Sequence, residues 1–403
     1  MEYQARAVRF SCIEEATAWL RRMNCDPAGV AIMSPKTIFR TVCVENVPTK
    51  AANLLKQTFL AKGAEVAVAR GTADLSAEFT DVLICGTMKH YRLALAQLRQ
   101  QPWGLPDLAK SVEQALANDN RRMSIPYQVN NCRWTVQTGQ TLVMGILNLT
   151  PDSFSDGGQH NQLDQALARA RQMVDDGADI LDVGAESTRP YGAAPISAQE
   201  EMDRLLPALE KILTAVNVPV SIDTYKSEVA EQALRMGAHI LNDIWGLQQD
   251  PAMAMLAVKY AVPVVVMHNR RSMESTRDIM GELADFFRHS LQIGRAAGMS
   301  EEQFILDPGI GFGKNSAQNL EVLRRLAELN SLGFPVLVGT SRKRFIGEVL
   351  NLPVEERAEG TGATVVHSII NGAAIVRVHD VKMAKRMAVM TDALQGWRTD
   401  ANG

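Results

Sequence analysis

Met144-Gly145-Ile146-Leu147-Asn148-Leu149-Thr150-Pro151-Asp152-Ser153-Phe154-Ser155-Asp156-Gly157-Gly158 changes character halfway along. Its first half is short and apolar and reads as a buried strand. Its second half is Pro, Asp, Ser and Gly, which cannot continue a strand and must form a loop. Asn148 stands at the junction, an amide at the C-terminal end of the strand. The same change recurs down the chain. Apolar or β-branched runs over 142–148, 180–183, 218–223, 239–243, 262–268, 304–307, 336–340 and 375–379 each end in polar residues. Helical spacing follows, over 163–174, 198–213, 227–236, 320–329 and 360–370. Gly177, Gly237, Gly298 and Gly333 stand where a helix must stop before the next strand.

Parallel strands need a crossover of about a dozen residues or more, and the spacing of these runs provides it. Near-continuous apolar strands imply burial on both faces. Eight βα units in about 260 residues predict a TIM (β/α)8 barrel. An open doubly wound sheet is the alternative, and the lack of a strand-following G-x-G-x-x-G counts against it.

A 403-residue chain is comfortable for two domains. Upstream of the barrel the pattern predicts a smaller α/β domain over 1–117, a linker over 118–131, and the barrel over 132–403. In the smaller domain, strands are predicted over 5–10, 37–44, 64–69 and 82–85, and helices over 13–23, 49–60, 90–99 and 108–116. Ser34-Pro35-Lys36 reads as a turn, and 127–136 as a hairpin leading into the barrel. No catalytic constellation stands out here. Lys36, Arg40, Lys50 and Lys56 read as solvated surface. A formal net charge of −3 gives no broad attraction to nucleic acid or anionic lipid. No apolar run approaches the ~20 residues of a membrane span, and Met1–Arg6 lacks the apolar core of a signal peptide. A cytoplasmic protein is expected. The five cysteines are scattered and none is spaced C-x-x-C, which argues against a disulfide framework and a zinc site.

Barrel sites lie at the C-terminal ends of the strands. Those ends carry Asn148, Asp182 with Glu186, Asp223, Asn242 with Asp243, His268, Asp307, Ser341 with Lys343, and Arg377 with His379. Asp and Asn are short planar partners for the N–H groups and ring nitrogens of a heterocycle. Arg and His suit an anion, and Arg can grip a phosphate with two N–H groups. A neutral amide such as Asn148 is a weak oxygen ligand, of the kind found around Mg²⁺ that also holds substrate phosphates. Gly309-Ile310-Gly311-Phe312-Gly313-Lys314 has the wrong spacing for a phosphate loop. His268 reads as a buried structural imidazole.

From about residue 132 to 395 the chain resembles dihydropteroate synthase. The resemblance rests on an ordered set of motifs: the opening stretch, Glu186-Ser187-Thr188-Arg189-Pro190, Ile222-Asp223-Thr224, Leu241-Asn242-Asp243, Met267-His268, Asp307-Pro308-Gly309 through Lys314, Gly339-Thr340-Ser341-Arg342-Lys343-Arg344, and Arg377-Val378-His379-Asp380. Such an enzyme condenses 6-hydroxymethyl-7,8-dihydropterin diphosphate with 4-aminobenzoate, giving 7,8-dihydropteroate and pyrophosphate in folate synthesis. The resemblance implies pterin contacts at Asp223, Asn242, Asp307 and Lys343, with Ile244, Met267 and Phe312 lining the slot. It implies a Mg²⁺ ligand at Asn148 and diphosphate contacts at Asn148, Thr188, Arg377 and His379. It implies an aminobenzoate site bordered by Phe154, Pro190, Ser341 and Lys343, with Ser341 at a helix N-terminus. Asp223, Lys343, Arg377 and His379 would carry the chemistry. The loops 154–158 and 187–191 would close over a reactive cation, and sulfonamides would compete with aminobenzoate. Tyr191 follows Pro190 where the family usually has Gly, so the second loop departs from the pattern. A homodimer acting on small molecules is expected. A pterin-binding methyltransferase would not need the Ser155–Gly158 loop, Ser341-Arg342-Lys343, or Arg377 with His379. A non-catalytic pterin-binding protein would lack something the reaction requires, and nothing required is missing.

Overall fold

The computed structural model describes residues 3–119, 121–149, 159–186, 195–270 and 277–396. The chain divides between Arg121 and Arg122 into two units.

In the first unit, β1 (Phe39–Pro48), β3 (Phe79–Thr87) and β2 (Glu65–Val68) form an antiparallel sheet in the order β1-β3-β2. Helices α3 (Thr49–Leu60), α4 (Met88–Leu98) and α5 (Leu105–Asp119) build one core with it, around Leu55, Phe59, Ile84, Tyr91, Leu98 and Leu105. Helix α1 (Ile13–Arg22) falls where the spacing predicts it. Two expectations fail. Residues 5–10 form no strand; almost all are exposed, and no neighbouring strand takes their backbone groups. Ser34-Pro35-Lys36 is not a turn but lies within α2 (Pro27–Thr37). Asp26 caps that helix by accepting from the Ala28 and Gly29 amides, and Pro27 occupies its first turn, where a missing N–H costs nothing.

The second unit opens with a hairpin, β4 (Ser124–Val129) against β5 (Cys132–Gln137), so part of the segment expected as linker is a strand. Eight parallel strands then close a barrel: β6 (Leu142–Asn148), β7 (Ile180–Gly184), β8 (Val220–Asp223), β9 (Ile240–Asp243), β10 (Val264–Met267), β11 (Phe304–Asp307), β12 (Val336–Val338) and β13 (Ala373–Val378), which pairs back onto β6. The intervening helices are α6 (Gln159–Asp175), α7 (Ala198–Ala215), α8 (Ser227–Met236), α9 (Ala252–Tyr260), α10 (Ile279–Ala297), α11 (Ser316–Arg324), α12 (Arg344–Leu350) and α13 (Ala358–Ile370), with α14 (Val381–Leu394) last. The helix expected over 320–329 is displaced. An Asn315–Gln318 capping box starts α11 earlier, and 3₁₀ turns over Leu326–Leu332 replace its end. No helix among the described residues is long and apolar enough to cross a membrane.

The hairpin seats Ile125, Tyr127 and Val136 against the barrel's inner apolar layer, and Tyr127 donates to the Glu302 carbonyl at 2.8 Å. Burying each such side chain is worth about 1.5–3 kcal/mol. A fragment of residues 122–403 is therefore expected to fold alone, and one starting at 141 to melt at least about 10 °C lower. Equal melting temperatures would show that the hairpin is no part of the barrel's stability.

Candidate active site

Alternation along a strand decides which side chains meet. Ile180, Ile240, Val265, Ile305, Leu337 and Ile375 form the buried layer across the barrel. Two residues further along stand Asp182, Asn242, Met267, Asp307 and Arg377 on the same strands and Gly339 just past the end of β12, with Asp223 on β8. A polar layer therefore rests on an apolar floor. A narrow pocket at this level is lined by Asp223, Asn242, Ile244, Met267, Asp307, Phe312, Lys343 and Arg377. All of the predicted pterin group is thus in one place.

Arg377 Nε and Nη2 both lie 2.6 Å from Asp182 Oδ2, and Nη2 also reaches Asp223 Oδ2 at 2.7 Å. Asn242 Nδ2 donates to Asp182 Oδ2 at 3.1 Å. Asp307 Oδ1 accepts from the Gly309 amide at 2.7 Å. The Lys343 ammonium stands 4.4 Å over the Phe312 ring. Burial pushes the Asp223 carboxyl up, against the pull of Arg377. Burial likewise raises Asp307 to about 6, against the Gly309 hydrogen bond and the Lys343 charge. Burial opposes the Arg377 charge, but Asp182 and Asp223 outweigh it and hold the guanidinium above its ordinary pKa. One oxygen each on Asp182, Asp223 and Asn242 is buried with no hydrogen-bond partner. Unsatisfied buried acceptors are costly, and the two on Asp223 and Asn242, which line the slot, call for donors from a ligand.

The loop after β11 forms one wall. Gly309 has φ +63°, and a Cβ there would stand 2.0 Å from the His268 carbonyl oxygen, so only glycine fits. The fully enclosed Lys314 ammonium ties the loop together. It reaches His268 Nδ1 at 2.7 Å and the carbonyls of Gly309 and Phe312 at 3.0 and 3.1 Å. Burial lowers Lys314 to about 7 and lowers His268 well below the usual imidazole range. His268 stacks edge-on to Phe286 and is an internal strut. Asp243 turns away from the pocket to accept from the Trp245 and Leu247 amides.

Asn148 and His379 line a separate cleft of about 420 Å³ with Gln165, Arg169 and Arg342. Arg169 Nη2 donates to the His379 carbonyl at 3.2 Å. Ser341 Oγ accepts from the His379 amide at 3.2 Å and lies 3.0 Å from its Nδ1; Ser341 precedes α12, whose cap is Lys343. Arg377 lines the narrow pocket with the pterin group, while Asn148 and His379 line the cleft. Phe154, Thr188, Pro190 and Tyr191 lie outside the described residues. Sequence reading noted Asp182 at a strand end but gave it no role, although its two-residue step from Ile180 points it inward. Arg169 was not singled out; its position on α6 gives no motif.

Comparison with known proteins agrees with this arrangement. The pterin binding enzyme family matches residues 144–379. The chain is 54% identical over 255 residues to the dihydropteroate synthase of Bacillus subtilis (strain 168), covering 63% of this chain and 89% of that one. It is similar to a Yersinia pestis dihydropteroate synthase solved with a sulfonamide drug, at 41% identity and TM-score 0.62, covering 68% of this chain and 100% of that one. A Halobacterium salinarum protein named "Probable bifunctional folylpolyglutamate synthase/dihydropteroate synthase" is 38% identical over 379 residues, 92% of this chain and 44% of its own length. That match runs well into the N-terminal unit, which the other two do not require. A barrel with this polar layer, matched along its whole length at such identity, leaves one assignment: the chain belongs to the dihydropteroate synthases, pterin-binding transferases of folate biosynthesis.

Proposed function

We propose that the narrow pocket holds the dihydropterin ring and the adjoining cleft its diphosphate. The observation that carries this reading is the pair of buried, unpartnered oxygens on Asp223 and Asn242, which line a slot walled by Ile244, Met267 and Phe312. A flat heterocycle with several N–H donors satisfies both features. Asp223, Asn242 and Asp307 accept from or fix the ring, and Lys343 donates to its oxygen or nitrogen edge. His379 and Asn148 face the diphosphate, and Arg377 reaches it from the pocket side; the resemblance adds Thr188 to these contacts. Ser341 borders the aminobenzoate, and the resemblance adds Phe154 and Pro190.

The reaction breaks the bond from the pterin methylene to the diphosphate oxygen, which keeps the electron pair. The aniline nitrogen then forms the new C–N bond and sheds a proton to water or to the leaving group. No protein nucleophile is required. The chain stabilises separated charge: Arg377 and His379 on the oxygen side, Asp223 on the cationic carbon side.

The residues fit Mg²⁺. Among the described residues no group of three or more His, Cys, Asp and Glu could cage a metal, while Asn148 presents one neutral amide in a cleft sized for phosphates. Such a site suits an ion that takes most ligands from water and substrate. Bound Mg²⁺ would supply positive charge to the leaving diphosphate. The five cysteines are all free thiols, in keeping with a cytoplasmic setting, and the assembly expected is a homodimer.

The test is turnover. The purified chain with pterin diphosphate, 4-aminobenzoate and Mg²⁺ should yield dihydropteroate and pyrophosphate in equal amounts. A sulfonamide should compete with aminobenzoate and not with the pterin. Competition with the pterin diphosphate would invert the assignment of the two subsites, and no product would refute it.

A further inference from the structure

Arg377 is held by a carboxylate that does not line the narrow pocket. Asp182 is fully buried, and its Oδ2 takes Arg377 Nε, Arg377 Nη2 and Asn242 Nδ2 together. Asp223 takes only Nη2, at 2.7 Å. Among the described residues Nη1 donates to nothing. The two carboxylates therefore grip the guanidinium unequally: Asp182 through the Nε edge, Asp223 through one corner. A guanidinium and the 2-amino-4-oxo edge of a pterin offer carboxylates the same pair of adjacent N–H groups. A pair of pterin donors arriving at Asp223 takes the unpartnered Oδ1 and Oδ2 together, so it competes for the corner contact on Oδ2 and leaves the Nε edge untouched.

We propose that Asp182 is the positioning residue for Arg377, the pivot on which the guanidinium turns from Asp223 in the empty pocket to the diphosphate once pterin occupies Asp223. The inference rests on the assignment of Asp223 to the pterin and Arg377 to the diphosphate. It reconciles that assignment with the position of Arg377 beside Asp223, away from Asn148 and His379. Asp182 also balances the charge. Without it, an arginine released from Asp223 would be left buried and unpaired whenever the anion is absent. Because Asp182 holds Asn242 through the same oxygen, the pivot and a pterin-facing amide share one anchor.

The consequence is thermodynamic coupling between two ligands that need not touch. Pterin removes a competitor for Arg377, so it should tighten anion binding, and by reciprocity the anion should tighten pterin. Pyrophosphate is titrated into the full-length chain at fixed Mg²⁺, with and without saturating 6-methylpterin, which carries no leaving group. The wild type should bind pyrophosphate about tenfold more tightly with the pterin present. Asp182→Asn keeps the shape and removes the charge; its coupling factor should fall to about one to two, with 6-methylpterin alone bound within about threefold of wild type. A merely structural loss would weaken both ligands together and leave their coupling in place. Equal pyrophosphate affinity with and without 6-methylpterin in the wild type overturns the inference, as does full coupling in Asp182→Asn. The wild-type titration decides by itself if that variant fails to fold. Arg377→Ala separates the two levels of argument. Unchanged pyrophosphate affinity in that variant removes the diphosphate assignment itself. A large loss there, without wild-type coupling, removes only the pivot.

Discussion

Asp223→Asn is expected to lower kcat about 100-fold at saturating substrates, with the fold intact. Three carboxylates, Asp182, Asp223 and Asp307, and two cations, Arg377 and Lys343, share the pocket layer. When all are ionised the acids exceed the bases by one, and the methylene cation that forms as diphosphate leaves carries the matching charge. Asn keeps the shape of Asp223 and can still accept from Arg377, so the substitution removes the excess negative charge and little else. Losing one preorganised charge-assisted interaction in a water-excluded site costs on the order of 3 kcal/mol, or about 100-fold in rate. Protonation does the same to the wild type. Asp307 is raised to about 6 by burial, and Asp223 is raised as well. The protonated forms gain population as pH falls through that range, so wild-type kcat should fall below about pH 6 and recover above it. Steady-state rates of both chains across pH 5 to 8 read the two effects together. A variant rate near wild type at neutral pH would take Asp223 out of the chemistry.

Most of the pocket was legible in the sequence, for a reason visible in the strands. A buried strand needs apolar residues on both faces until it leaves the barrel, so a polar residue ending such a run is conspicuous. Asp223, Asn242, Asp307 and Arg377 were found in this way. The same cue undervalued Asp182, because its strand continues through Val183 and Gly184 and the carboxylate sits one step below the loops. What the strand ends could not show is pairing. Arg377 and His379 are two residues apart at the end of β13, yet one turns to Asp182 and Asp223 and the other to Ser341. That choice depends on contacts with a strand 195 positions away and a loop 38 positions away. The N-terminal unit was read less well. Its strand pairs are non-local, residues 5–10 have strand propensity but no partner, and the Ser34-Pro35-Lys36 turn reading passed over Asp26-Pro27, whose cap starts α2.

Arg377→Ala is expected to weaken pyrophosphate binding about 100-fold and, with it, to abolish the aminobenzoate binding that depends on the anion. The first effect follows from chemistry. Arginine's planar fork grips phosphate oxygens with paired N–H groups, and hydrogen bonds between ionised partners are about twice as strong as neutral ones. In this pocket removal also leaves Asp182 and Asp223 facing each other across a space the guanidinium filled at 2.6 and 2.7 Å, so two buried acids lose their shared counter-charge. One of them should then take up a proton, which makes the variant's pterin affinity more pH-dependent than the wild type's. The second effect follows from the order of events. An aniline is a poor nucleophile and attacks only a carbon already cationic, so a site that admits it before the anion is seated gains nothing. Ser341, which borders the proposed aminobenzoate site, is tied to His379 by two contacts, and His379 lines the cleft proposed for the anion. Seating the anion therefore fixes a neighbour of the aminobenzoate site. Calorimetric titration of aminobenzoate into the wild type should show binding with pyrophosphate and Mg²⁺ present and little without them. In Arg377→Ala neither titration should show it at pyrophosphate concentrations that saturate the wild type. Equal aminobenzoate affinity with and without pyrophosphate in the wild type would mean that the second subsite is preformed, and binding would then be random rather than ordered. Binding restored in the variant by raising pyrophosphate about 100-fold would instead confirm that Arg377 acts through the anion alone, because mass action would then replace the lost affinity.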